Sequence, residues 1–116
     1  LKTLDQAPLS VPLPRDPRAR RVAERVLARA SQTSTLDELA VGSGASARTL
    51  ERLFRAETGL SFGRWRQQAR LLGALRLLGE GLAVTAVAAR VGYRSPSAFV
   101  AMFTRALGRS PGRYFE

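Results

Sequence analysis

Cysteine and histidine are both absent from this 116-residue chain. Their absence removes disulfide frameworks, thiolate nucleophiles, Ser-His and Cys-His pairs, and zinc sites built from the common nitrogen and sulfur ligands. Acidic residues are scarce: nine stand against 19 basic ones. They are scattered among arginines, as in "DEL" and "AETG", so no carboxylate pair stands out for general acid-base work. These absences point away from an enzyme and from any bound cofactor or metal. Long apolar runs are missing too. "LLGALRLLG" is broken by Gly and Arg and falls far short of the roughly 20 residues that a bilayer crossing needs. No membrane role is expected. No secretory signal is visible, and the chain opens on "LKTLDQ" without an initiator Met, as expected of a fragment of a longer cytoplasmic protein.

What is present is an apolar fraction of 45%, enough for one compact domain or two very small subdomains. The net charge is +10, and 18 of the 19 basic residues are Arg, whose forked guanidinium suits phosphates and guanine edges. An anionic partner is the first expectation, and nucleic acid leads the candidates. Charge alone leaves RNA, membranes and plain solubility open.

Along the chain, residues 1–16 carry Pro8, Pro12 and Pro14 in "APLSVPLPRDP", a density that favours extended chain, read as a linker, docking arm or disordered tail. From Pro17 a helix is expected to about Ala30, capped by Asp16, with Val22, Val26 and Leu27 inward. Arg18, Arg21, Arg25 and Arg29 form a second stripe, read first as a solvated face and second as a phosphate clamp. Thr35 and Glu38 have capping-box spacing and open a short helix with Leu36, Leu39 and Ala40 inward, ending at Gly42 or Gly44. Ser46 caps the next helix, which completes a helix-turn-helix. Ser61 caps a long helix to about Gly79, with Phe62, Trp65, Ala69, Leu72 and Leu75 or Leu78 buried. At 1.5 Å per residue it is a rod of roughly 28 Å.

The chain also repeats itself. A shift of 49 places Ser46, Leu50, Leu53, Phe54, Gly59, Ser61 and Trp65 on Ser95, Phe99, Met102, Phe103, Gly108, Ser110 and Tyr114. Upstream, a shift of 48 places Leu36, Leu39, Ala40 and Gly44 on Val84, Val87, Ala88 and Gly92, so the second unit carries one extra residue in its turn. Matched core spacing, helix-ending Gly and Ser cap together identify a duplicated helix-turn-helix. The aromatics at matched inward positions, Phe54, Phe103, Trp65 and Tyr114, read as core and not as base-stacking platforms. Two reading helices at the ends of such a rod suit the roughly 34 Å repeat of the major groove. Rigid spacing of the heads further suggests bending of the bound duplex.

The second unit, "AVAARVGYRSPSAFVAMFTRALGRSPGRYF", resembles the C-terminal signature of AraC/XylS-type bacterial transcription regulators. "TLERLFRAETGLSFGRWRQQARL" is similar to their first unit and linker helix, and the resemblance covers about residues 18–115. It implies an all-α, homeodomain-like fold of about seven helices: a first helix-turn-helix unit over about 17–60, a linker helix over 61–79 and a second unit over 82–116. It also implies double-stranded DNA as partner, RNA polymerase as a second partner, and an upstream sensor and dimerisation domain that this chain lacks, with the Pro-rich start as interdomain linker.

Carried over by motif position, base contacts fall on Arg48, Glu51 and Arg52 in the first unit and on Pro96, Ser97, Val100 and Ala101 in the second. Arg48 and Arg52 suit guanine O6 and N7, and Glu51 suits a cytosine amino group. Glu51 also stands four residues before Arg55, the spacing of a helix-surface ion pair. In the second unit Ser97 bonds weakly, while Val100 and Ala101 can touch only thymine methyls or other apolar edges, so less discrimination is expected there. Arg55, Arg94, Arg105 and Arg109 are expected at phosphates, together with the helix starts at Ser61 and Ser110, whose side chains are also expected to cap. The expected function is that of a sequence-specific, DNA-binding transcription regulator, with activation favoured by the resemblance alone. The alternative is a basic protein that binds nucleic acid without reading sequence.

Overall fold

The computed structural model describes residues 10–29 and 31–115. The expectations for residues 1–9 and for a first helix reaching Ala30 lie outside them in whole or in part. The described residues form six α-helices and one turn of 3-10 helix, with no strand. The α-helices are α1 (Pro17–Ala28), α2 (Leu36–Ala40), α3 (Ala47–Thr58), α4 (Phe62–Gly79), α5 (Val84–Arg90) and α6 (Pro96–Leu107); the 3-10 turn is Pro111–Arg113.

The helices start where side chains satisfy their orphan N–H groups. Asp16 accepts from the backbone N–H of Arg18 at the start of α1. At α2 both bonds of the capping box are made: Thr35 Oγ1 accepts from the Glu38 N–H and Glu38 Oε1 from the Thr35 N–H. Ser46, Ser61 and Ser95 each accept from the N–H three residues on. α3 and α6 stop at Gly59 and Gly108, both at φ 81°, a left-handed conformation that glycine adopts without steric cost.

Two apolar clusters form, and α4 supplies residues to both. Leu39, Leu50, Leu53 and Phe54 pack with Val22 and Val26 of α1 and with Phe62 and Trp65 of α4. Val87, Phe99, Met102 and Phe103 pack with Leu71 and Ala74 of the same helix. The duplication is visible in space: Phe54 meets Trp65 edge-on at 5.2 Å, and Phe103 meets Tyr114 edge-on at 5.5 Å. Phe54, Trp65 and Phe103 are fully buried, and Tyr114 is half-buried. Each such pair adds about 0.5–1.5 kcal/mol beyond its buried area.

Several local expectations change. Leu72 is 41% exposed and Leu27 43% exposed, and the inward places on α4 go to Leu71 and Ala74. No single apolar stripe stays buried along α4, because its packing partner changes from α3 to α5 along its length and the buried face rotates. Ala69, Leu75 and Leu78 are only half-buried. Leu27 and Leu72 instead line an open groove of about 630 Å³ with Tyr114 and Phe115. α2 ends at Ala40, before either glycine, while α5 runs on to Arg90. Gly44 and Gly92 both take the left-handed conformation, at φ 95° and 93°, so the extra residue of the second unit lies between Gly92 and the Ser95 cap, in its turn. The seventh helix is a single 3-10 turn, and Ser110 makes no side-chain capping bond there.

The chain before α1 is tied down by its carbonyls and amides. Trp65 Nε1 donates to the Pro12 carbonyl at 2.7 Å and Gln68 Nε2 to that of Ser10 at 2.9 Å. The N–H groups of Arg15 and Asp16 donate to Glu57 Oε1. Pro14 is fully buried. Three arginines of the α1 stripe also work within the molecule. Arg18 forks onto Asp16, Arg21 donates to the Ser43 carbonyl, and Arg25 donates to that of Leu39, near the C-terminus of α2.

The Arg18 side chain and N–H hold the Asp16 carboxyl at about 2, below its ordinary 3.8. A lowered folded-state pKa stabilises above the unfolded value and loses that contribution as pH falls through the folded one. Asp16→Asn keeps a cap but removes the charge. Urea unfolding should therefore show wild type more stable than this variant at neutral pH, with the difference vanishing as pH falls through about 2. A difference constant with pH would contradict the Asp16–Arg18 account.

Candidate nucleic-acid interface

The outer face of α3 follows from its inner one. With Leu50, Leu53 and Phe54 buried, the 3.6-residue period turns Arg48, Arg52 and Arg55 outward. Arg48 and Arg52 stand four residues apart on one face, exposed, and neither makes an ion pair or hydrogen bond with another described residue. Both keep their forked N–H donors free for an outside acceptor.

Glu51 is engaged elsewhere. Its Oε2 accepts the backbone N–H of Phe62 at 3.0 Å, at the first residue of α4, and lies 3.6 Å from Arg55 Nε. The carboxylate thus sits at the positive end of the α4 dipole and ties α3 to α4. The sequence contained only half of this arrangement, the i,i+4 pair with Arg55. The bond to Phe62 depends on how sharply the chain turns through Gly59, Leu60 and Ser61.

On α6, Phe99, Met102 and Phe103 point inward, and Pro96, Ser97 and Ala101 are exposed. Val100 is half-buried against the second cluster, so only part of it faces out. Ser97 Oγ lies 3.3 Å from Ser95 Oγ. Arg94, Arg105 and Arg109 are exposed around this head. Arg109 and Arg113 line a polar crevice of about 450 Å³ with Thr104 and Ser110. The 3-10 turn beyond Ser110 is three residues long, too short to build up a helix dipole. Arg109 and Arg113 supply the positive charge there, and the Ser110 hydroxyl makes no capping bond. Ser61 spends its Oγ on the Arg64 N–H, and Arg64 is exposed beside it.

Two arginines of α4 carry signals the sequence reading passed over. Arg66 lies 5.0 Å from the Phe62 ring centroid and Arg70 lies 5.7 Å from that of Tyr93. Arg66 Nε and Nη2 and Arg70 Nε are buried with no acceptor among the described residues. Burial, and then the neighbouring Arg70 charge, lower the Arg66 pKa; burial pushes the Tyr93 phenol up. Their spacing of four residues on a rod facing both units was the available clue.

Comparison with known proteins is consistent with this geometry. A helix-turn-helix domain model matches residues 39–116. The chain belongs to the AraC/XylS-type family of helix-turn-helix DNA-binding domains. The family's relatives include the transcriptional regulator NimR of Escherichia coli, 40% identical over 94% of this chain and 40% of that protein. The transcriptional activator NphR of a Rhodococcus species is 41% identical over 84% of this chain and 28% of its own length. The chain thus spans well under half of these relatives. Among solved structures, the C-terminal domain of AraT, a response regulator from Geobacillus stearothermophilus, superposes with a TM-score of 0.79. It is 32% identical and covers 85% of this chain and 84% of its own. The DNA-binding domain of AdpA, a global transcriptional factor crystallised with a target DNA, gives 0.77 at 38% identity, over 86% of this chain and 90% of that one.

Replacing Glu51 by Ala should cost about 1 kcal/mol in urea unfolding, a modest value because the carboxylate is partly exposed. An unchanged unfolding midpoint would show that the bond to Phe62 does not hold α3 to α4.

Proposed function

We propose that this chain is the DNA-reading part of a sequence-specific bacterial transcription regulator, with α3 and α6 entering adjacent major-groove segments of one duplex. The observation that carries it is the pair Arg48 and Arg52, outward on α3 with no partner among the described residues. Their forks suit guanine O6 and N7. Glu51, occupied at the α3–α4 junction, is assigned a positioning role in place of the cytosine contact. α6 offers Ser97, Ala101, Pro96 and part of Val100, and so contributes shape and thymine-methyl contacts with weaker discrimination.

Arg55, Arg64, Arg94, Arg105 and Arg109, with the helix start at Ser61, supply the phosphate contacts. The molecule is 44 Å in its longest dimension, enough to reach across the roughly 34 Å groove repeat. Bending of the site is part of the proposal, since two heads on one rod meet a straight duplex imperfectly. Activation is favoured because NphR is named an activator; RNA polymerase is then the second partner, in the cytoplasm. Effector sensing and dimerisation are assigned to a separate sensor domain. No helix among the described residues is long and apolar enough to cross a membrane.

The rival, a basic protein indifferent to sequence, predicts equal binding of all duplexes and a steep salt slope only. Selection from a random duplex library should enrich a motif in two parts, and no enrichment would sink the proposal. On the selected site, Arg52→Ala should cost about 1–3 kcal/mol and relax one base position, whereas Arg105→Ala should weaken every sequence alike. Equal, sequence-independent losses from both would overturn the division of roles.

A further inference from the structure

Arg70 lies on α4 between the residues that α4 gives to each cluster, Trp65 to the first and Leu71 to the second. Its guanidinium touches both units. Nη2 donates to the Gln32 carbonyl at 2.9 Å, and the same group lies over the ring of Tyr93. Both ends are anchored. Gln32 is tied to the end of α1, its N–H donating to the Arg29 carbonyl and its Nε2 to that of Arg25. Tyr93, in the turn before α6, packs at 5.7 Å against Phe99, which is fully buried on α6. One side chain therefore links the α1–α2 connection of the first unit to the inner face of the second unit's reading helix.

The link matters because, among the described residues, the two clusters share none. Their mutual orientation rests on α4, which carries Gly73 three residues beyond Arg70, a residue that weakens a helix at that point. A charged group over an aromatic face, plus a charge-assisted hydrogen bond, resists rotation of one unit against the other.

We propose that Arg70 is the positioning residue that fixes the two reading helices in one mutual orientation, and so makes the protein reject half-sites at the wrong spacing. The second clause rests on the two-headed reading above; the first does not. Because the chain has no cysteine, spin labels can be placed cleanly at Ala56→Cys and Ala106→Cys, both exposed near the ends of α3 and α6. Electron double resonance on the DNA-free protein, under conditions where unfolding titrations show every variant folded, should give one narrow distance distribution. Arg70→Met should broaden it. Arg70→Lys, which keeps charge without the planar fork, and Tyr93→Leu, which removes only the ring, should each broaden it less. A lowered melting temperature with an unchanged distribution in Arg70→Met and Tyr93→Leu would overturn the proposal.

With DNA, one base pair inserted between the half-sites should weaken wild type about tenfold, the order of one wrong base pair. Arg70→Met should lose clearly less. An equal penalty in both proteins would overturn the spacing role. A wild type indifferent to spacing would instead refute the two-headed reading, while the distance distributions would still decide whether Arg70 fixes the orientation.

Discussion

One helix has to complete two cores. The first two turns of α4 bury Phe62 and Trp65 against α3 and α1; further on, the same helix buries Leu71 and Ala74 against α5 and α6. Neither unit has enough apolar surface to manage without these residues, because a helix-turn-helix of this size offers only a few large side chains to its own interior. Sharing a rod solves the packing problem and fixes the separation of the heads at the same time. Eighteen residues at 1.5 Å give roughly 27 Å between its ends. The junctions at the start of the rod, Ser61 capping α4 and Glu51 bonded to the Phe62 N–H, convert that length into a defined angle for α3.

The duplication separates what packing constrains from what it leaves free. Inward positions repeat because a close-packed core accepts few shapes: Leu50 and Phe99, Leu53 and Met102, Phe54 and Phe103 are large, apolar and buried in both units. Outward positions carry no such demand and have diverged. The positions that hold Arg48 and Arg52 on α3 hold Ser97 and Ala101 on α6. The same geometry thus presents a charged, hydrogen-bonding head and a small, mainly apolar one.

Much of this was legible in the sequence because the signals were local or repeated. Caps at Asp16, Thr35, Ser46 and Ser61 and terminal glycines at Gly59 and Gly108 act within a few residues, and the structure places helix ends at all of them. What was not legible depends on elements distant in sequence. The choice of Leu71 over Leu72 follows from a change of packing partner partway along α4. The engagement of the Pro-rich segment follows from its unpaired carbonyls, which proline-rich chain leaves exposed and which Trp65 and Gln68 capture from more than 50 residues away. Arg21 and Arg25 are exposed, as expected of a solvated face, and they also satisfy carbonyls at the end of α2 and in the turn that follows it. In each case the residue types were suggestive, but the packing partner or the acceptor was supplied by tertiary structure.

The central claim is that two unequal heads read one face of one duplex. Guanine N7 methylation interference on a selected site tests it most directly, because N7 lies on the major-groove edge that arginine forks use. Interference is expected in two patches about one helical turn, roughly 10 base pairs, apart on the same face. The stronger patch should lie under α3 and disappear when Arg48 and Arg52 are replaced. A single patch, or interference spread evenly along the duplex, would contradict it.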